Sequence, residues 1–96
     1  MYVIVTYDVT TVDRAGRRRL RRVAKVCKDF GVRVQNSVFE LSVAPDQWVQ
    51  CRAKLLEEIK LDEDSVRFYF LGSNWRRRVE HLGITVVTDV ESPLII

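Results

Sequence analysis

Two hydrophobic rhythms alternate along the chain, and short polar breaks separate them. Tyr2 to Val9 is dense in valine, isoleucine and tyrosine and predicts a buried strand. Asp13 suits the N-cap of a helix running to about Phe30, with Gly31 as its stop signal. At roughly 100° per residue, Leu20, Val23, Ala24, Cys27 and Phe30 form one apolar stripe on that helix. Val32 to Val43 returns to alternation and predicts a single second strand. Pro45 suits the first position of a second helix, whose apolar set is Trp48, Val49, Leu55, Leu56 and Ile59. Asp62-Glu63-Asp64 predicts a turn and Ser65 to Leu71 a third strand closed by Gly72. Trp75 to His81 predicts a short fourth strand and Ile84 to Val90 a fifth, before Ser92-Pro93 breaks the pattern.

The order reads β-α-β-α-β-β, with the second helix between strands two and three, and is taken as the α+β class, a ferredoxin-like βαββαβ-type sandwich: one antiparallel sheet, two helices on one face, and an extra C-terminal strand. At 96 residues the whole chain, 1–96, is expected to form one domain. Val3 and Val5 point one way while Tyr2 and Ile4 point the other, and Val66, Phe68 and Phe70 alternate with Arg67, Tyr69 and Leu71. Two helices cover only one sheet face. Leaving the second in water forfeits about 1.5–3 kcal/mol for each large apolar side chain. A homodimer across that face is therefore expected, with the last strand crossing to the neighbouring sheet.

A hydrophobic fraction of 47% argues against disorder, and no apolar run approaches the length of a membrane span. The opening residues carry neither a basic head nor a small-residue cleavage site, which predicts no signal peptide and a cytoplasmic protein. Cys27 and Cys51 fall inside helices without zinc-site spacing and read as core residues. The net charge of +3 is mild, but eight of the sixteen basic residues lie between Arg14 and Lys28. A second cluster is Arg76-Arg77-Arg78, while acids gather at Glu57-Glu58 and Asp62 to Asp64. Arg14, Arg18, Arg21, Lys25 and Lys28 form a stripe nearly opposite the apolar one, spanning roughly 21 Å. A solvated helix face normally mixes signs in i,i+4 pairs, whereas no acid occurs between Arg14 and Lys28. A polyanionic partner follows, gripped through its backbone with little sequence preference, since no base-reading motif is present.

Asp8 ends the first strand. Its ordinary role there is to cap a turn, and one carboxylate alone makes a poor magnesium site. A two-fold axis nearby supplies a second Asp8, and two carboxylates about 4 Å apart repel by about 4 kcal/mol at an effective dielectric of 20. Such a pair shares a proton or captures a divalent cation. On a single second strand Arg33 and Ser37 lie four apart, on the face of Gln35 and Phe39. Arg33 then suits a phosphate and Ser37 a water or metal-bound ligand; polar interface groups without chemistry are the alternative. His81 has no Cys or Ser partner in a known order and reads as a surface residue near Glu80. There is no Gly-rich phosphate loop and no Ser-His-Asp order.

Tyr7-Asp8, Arg22-Val23-Ala24, Gly31 through Glu40, Ser65-x-Arg67-x-Tyr69-x-Leu71-Gly72 and Ser92-Pro93-Leu94 come in this order over nearly the whole chain. In this the chain resembles the CRISPR-associated protein two family. The resemblance implies a ferredoxin-like homodimer that bridges two dimers of the CRISPR integrase in a heterohexamer and grips duplex DNA destined to become a spacer. It also implies magnesium-dependent endonuclease activity on DNA or single-stranded RNA, an activity absent in some members. The family's metal-binding aspartate falls on Asp8, with one Mg2+ shared between the two copies. Its supporting residues fall on Tyr7, Arg22, Arg33, Ser37 and Phe39. The expected nucleic-acid contacts are Arg14, Arg18, Arg21, Arg22, Lys25, Lys28, Arg76, Arg77 and Arg78. Enzyme and non-catalytic DNA-bridging scaffold both remain open. A ferredoxin-like RNA-binding module wants a glycine in the third strand, which Ser65 to Leu71 lacks. An acylphosphatase wants its Gly-x-Val-Gln run before the first helix, whereas Gly31 follows it.

Overall fold

Val3, Val5 and Tyr7 place alternate side chains of strand β1 (Tyr2–Asp8) on one face, and all three are buried. The computed structural model describes residues 1–72 and 79–84. Within them β1 is followed by helix α1 (Arg14–Phe30), β2 (Val32–Gln35), β3 (Val38–Ser42), helix α2 (Pro45–Glu58), β4 (Ser65–Phe70) and β5 (Val79–Gly83). The strands form one antiparallel sheet in the order β2-β3-β1-β4-β5. The first four give the ferredoxin-like βαββαβ arrangement, and β5 adds the extra strand at the edge beside β4.

The single strand expected over Val32 to Val43 is instead a hairpin. Chain reversal at Asn36-Ser37 makes two strands of it, and these complete the βαββαβ order. Arg33 pairs with Phe39, but Gln35 rather than Val34 pairs with Val38, so a bulge sits in β2. No non-glycine residue among those described has positive φ, so this turn is not the type I′ that suits two-residue hairpins. A bulge is a common way to restore the strand twist after such a turn. Arg33 therefore shares a face with Phe39 as a cross-strand neighbour, while Gln35 is level with Val38 on the other face. The expected one-strand face of Arg33, Gln35, Ser37 and Phe39 does not exist.

β5 begins at Val79, inside the stretch expected as a fourth strand, and pairs with β4 over its whole length. The expected strand at Ile84–Val90, apart from Ile84, lies outside the described residues, as do Arg76, Arg77, Arg78 and Ser92-Pro93-Leu94.

Both helices pack on the face of Val3, Val5, Phe39, Leu41, Val66 and Phe68. α1 contributes Val23, Ala24 and Cys27, with Leu20 and Phe30 at the margin, as its periodicity predicts. α2 contributes Trp48, Cys51 and Leu55. Val49 was expected in that set but is 65% exposed, one step around the helix from the buried stripe. Trp48 meets Phe68 and Phe70 edge-on, with centroids 4.7 and 5.4 Å apart. Asp13 caps α1 by accepting from the N–H of Gly16 at 2.7 Å, and Pro45 opens α2. The opposite sheet face carries Tyr2, Ile4, Thr6, Val38, Arg67 and Tyr69, all exposed or half-buried.

Candidate active site and nucleic-acid interface

β1 delivers Asp8 to the end of the sheet and leaves its side chain exposed, because the preceding Tyr7 turns inward. Its carboxylate makes no hydrogen bond or ion pair among the described residues. The β2–β3 turn comes alongside: the main-chain N–H of Tyr7 donates to the Ser37 carbonyl at 3.1 Å, and the Tyr7 hydroxyl to the Asn36 carbonyl at 3.3 Å. Tyr7 thus ties the hairpin tip to the strand that carries Asp8.

Beneath the tip is a short stack. Tyr7 and Phe39 rings lie 6.1 Å apart and nearly parallel, and the Arg33 guanidinium sits 5.1 Å from the Phe39 centroid. Burial pushes the ionisation of Tyr7 above the ordinary tyrosine value, while the nearby Arg33 guanidinium opposes that rise. Tyr7 is a neutral hydrogen-bond donor at physiological pH. Phe39 is fully buried and acts as the floor on which Arg33 rests.

Tyr7, Asp8, Arg33, Ser37 and Asn36 line one groove of about 520 Å3, whose other wall is α1 with Leu20, Arg21 and Ala24. The structure therefore joins four of the expected site residues and places Phe39 under them. Arg22 is not in the groove; it faces α2 and lies 3.8 Å from Glu58. Arg14, Arg18, Arg21 and Lys28 have no ion pair among the described residues. Lys25 pairs with Asp29, the acid just beyond the run, at 3.1 Å. Such exposed pairs are worth about 0.2–1 kcal/mol and give way readily to phosphate.

The loop after Asp8 is held by a group that composition reading places in a surface turn. Asp64 is fully buried. Its carboxylate accepts from the N–H of Thr10 at 3.1 Å, the N–H of Lys60 at 2.9 Å and Arg19 Nε at 2.8 Å. Burial by itself would raise the Asp64 carboxyl. The Arg19 guanidinium and the two backbone N–H groups outweigh it and hold the carboxyl below its ordinary value. Thr10 also donates its hydroxyl to the Glu63 carbonyl at 2.7 Å. Gly16 lets the same loop approach α1 closely, since a Cβ there would meet the Thr10 carbonyl oxygen.

The two cysteines are buried and free, as expected of core residues. Burial pushes the Cys27 thiol up to about 12 and the Cys51 thiol up to about 11, so neither supplies a nucleophile. No group of three or more His, Cys, Asp or Glu suited to a metal occurs among the described residues. No helix there is long and apolar enough to cross a membrane.

A family model for CRISPR associated protein Cas2 matches residues 1–79. The CRISPR-associated endoribonuclease Cas2 of Chlorobaculum tepidum is 59% identical over 96 residues, covering all of both chains. The CRISPR-associated endonuclease Cas2 of Halalkalibacterium halodurans is 46% identical over 95 residues, covering 99% of each. The crystal structure of Streptococcus pyogenes Cas2 at pH 6.5 superposes with a TM-score of 0.70 at 59% identity, covering 86% of this chain and all of that one. A further Cas2 crystal structure gives a TM-score of 0.63 at 35% identity, covering 97% and 92%. Matched over most of its length by the family model, and end to end by a close relative, the chain belongs to the CRISPR-associated Cas2 family.

Proposed function

We propose that this chain is a metal-dependent phosphodiesterase of CRISPR spacer acquisition, cutting nucleic acid at Asp8 and gripping it along α1. One observation carries the reading. A carboxylate, an arginine held over an aromatic ring and a hydroxyl share a groove whose far wall begins a face of cations, of which Arg14, Arg18, Arg21 and Lys28 have no ion pair among the described residues. The names of the two relatives, endoribonuclease and endonuclease, support hydrolysis of RNA or DNA.

Asp8 is the only carboxylate among the residues that line the groove, and magnesium takes one or two carboxylates with waters or phosphate. Asp8 fits that demand together with the Asp8 of a second copy laid across the open sheet face, where Tyr2, Ile4, Val38 and Tyr69 want cover. A bound Mg2+ supplies charge neutralisation at the phosphoryl group and acidifies water. The chain's own residues do the rest. Arg33, braced by Phe39, neutralises a phosphate oxygen; the Ser37 hydroxyl orients water or substrate; Tyr7 fixes the hairpin tip. Water is the nucleophile, since no Ser-His or Cys-His pair occurs among the described residues. The α1 cations track a duplex backbone, which suits a dimer that bridges two integrase dimers around the DNA to be inserted.

The deciding experiment is cleavage of RNA and of duplex DNA across a magnesium titration, wild type beside Asp8→Ala. Magnesium-dependent cleavage lost in Asp8→Ala is the expected result, with folding, dimer mass by light scattering and DNA affinity retained. Cleavage that survives chelator or the substitution assigns the chain to a non-catalytic bridging role.

A further inference from the structure

The groove beside Asp8 has more room than a phosphate group requires. At about 520 Å3 it falls within the roughly 300–1,000 Å3 that encloses a small organic ligand. Its far wall is α1, on the helix side of the sheet, so a second copy across the opposite face leaves it accessible.

The lining is divided in character. On the α1 side Leu20 and Ala24, with Val9 from the loop after β1, make an apolar wall. On the hairpin side are Arg33, Asn36 and Ser37. The ionic groups that line the groove are Arg21, Arg33 and Asp8, a net positive balance that admits an anion. A phosphate held at Asp8, Arg33 and Ser37 leaves the apolar wall and Asn36 without a role. A flat ring with polar edges suits both.

Asn36 is exposed, but its backbone is held in place. Its carbonyl accepts from the Tyr7 hydroxyl at 3.3 Å, and the next carbonyl, of Ser37, accepts from the Tyr7 N–H at 3.1 Å. An asparagine in a turn ordinarily bonds its own side chain to the local backbone. The Asn36 carboxamide makes no hydrogen bond among the described residues, so the turn does not consume it. A carboxamide offers an acceptor beside two donors, the complement of the mixed donor and acceptor edge of a nucleobase. Only the chain reversal at Asn36-Ser37 brings this amide opposite α1, which is why no base-reading motif shows in the sequence.

We propose that this groove seats one unstacked nucleobase of the substrate, its ring against Leu20 and Ala24 and its edge at the Asn36 carboxamide. The inference rests on the reading of Asp8 as the cleavage site, which puts the attached phosphate at Asp8 and Arg33. Asn36 is then a specificity-determining residue, whereas α1 grips backbone alone. The base must leave its stack to enter, so unpaired nucleotides enter more readily than paired ones.

The test is fluorescence anisotropy of the intact protein in excess chelator, which separates binding from cleavage. The probes are short single strands of abasic sugars with every phosphate kept, either bare or with one base restored. Restoring the base should tighten binding about tenfold. Equal affinities would leave backbone contact alone and overturn the proposal, and this comparison depends on no variant's folding. Asn36→Ala should remove most of the gain; a gain that persists in full places the base elsewhere and overturns the assignment. Asn36→Asp exchanges the amide donor for a second acceptor, matched to the N1–H and N2 amino group of guanine. It should raise the ratio of guanosine-strand to inosine-strand affinity about fivefold, since inosine lacks the N2 amine. Taking the ratio cancels the charge that this substitution adds near Asp8, and an unchanged ratio also overturns the proposal. Magnesium-dependent cleavage lost in Asp8→Ala, with no gain from the restored base, keeps the nuclease and removes the base site. A gain that depends on Asn36 in a protein that cleaves nothing keeps the base site and removes the nuclease.

Discussion

Arg19 Nε donates to the fully buried carboxylate of Asp64 at 2.8 Å, joining α1 to the turn before β4 beneath the loop that follows Asp8. The same carboxylate takes the Thr10 and Lys60 N–H groups, so removing it orphans three donors at once. Asp64→Ala should cost about 3–5 kcal/mol by urea unfolding, as expected when one partner of a buried pair is deleted. The pH dependence follows from the sign of the shift. The folded carboxyl lies below its unfolded value, so its stabilisation is present above about pH 4 and is lost as pH falls through the folded value. Wild type should therefore weaken on acidification below that range, and Asp64→Asn should flatten this acid limb. An unchanged limb would place the acid sensitivity on other carboxylates.

Duplex binding through α1 should show a steep salt dependence. Arg18 and Arg21 are exposed and without ion pairs among the described residues, and Arg21 also lines the Asp8 groove. Each phosphate neutralised contributes about 0.9 to the slope of log affinity against log salt. Arg18→Glu with Arg21→Glu should reduce the slope by roughly two units per engaged helix, measured by fluorescence anisotropy at several NaCl concentrations. Lys25→Glu should act more weakly, since Lys25 already faces Asp29. A slope indifferent to the double substitution would move the DNA off this face.

Elements with local causes were legible in the sequence. β1, the Asp13 cap, the apolar stripe of α1 and the Pro45 start of α2 each depend on residues within a turn or two of one another. The hairpin at Asn36-Ser37 was not, because it lacks the glycine that usually marks a two-residue turn and the alternation of Val32, Val34 and Val38 runs straight through it. Asn36 between Gln35 and Ser37 was the available signal, since asparagine favours turns. Asp8, Arg33 and Ser37 were found as residues, but the groove that joins them depends on the chain reversal. Arg19–Asp64 spans 45 positions and Arg67–His81 spans 14, and no periodicity encodes pairs made by tertiary packing.

The thiols offer a direct test of packing. Cys27 and Cys51 are fully buried, on α1 and α2 respectively, and burial holds them protonated well above neutral pH. Ellman's reagent at pH 8 should label neither in the native protein and both after unfolding in guanidinium. Rapid labelling of one thiol without denaturant would show that the helix pair opens on its own.

Gly16→Ala sets two opposed effects against each other. Alanine is favoured over glycine in a helix by up to about 1 kcal/mol, and Gly16 lies in the first turn of α1. Against that, the added Cβ would fall well inside contact distance of the Thr10 carbonyl oxygen and 3.1 Å from the Asp13 capping oxygen. The first contact is with backbone and is relieved only by moving the loop. That loop is pinned through Thr10 to Asp64 and Glu63, so moving it strains bonds at 3.1 and 2.7 Å. Overpacking of this kind costs typically 1–3 kcal/mol, which exceeds the helix gain. Gly16→Ala should thus lower the urea midpoint, and because Thr10 lies two residues from Asp8 it should slow cleavage more than it weakens DNA binding. A raised midpoint would mean that the loop yields freely, and that Asp64 does not hold Asp8 in place.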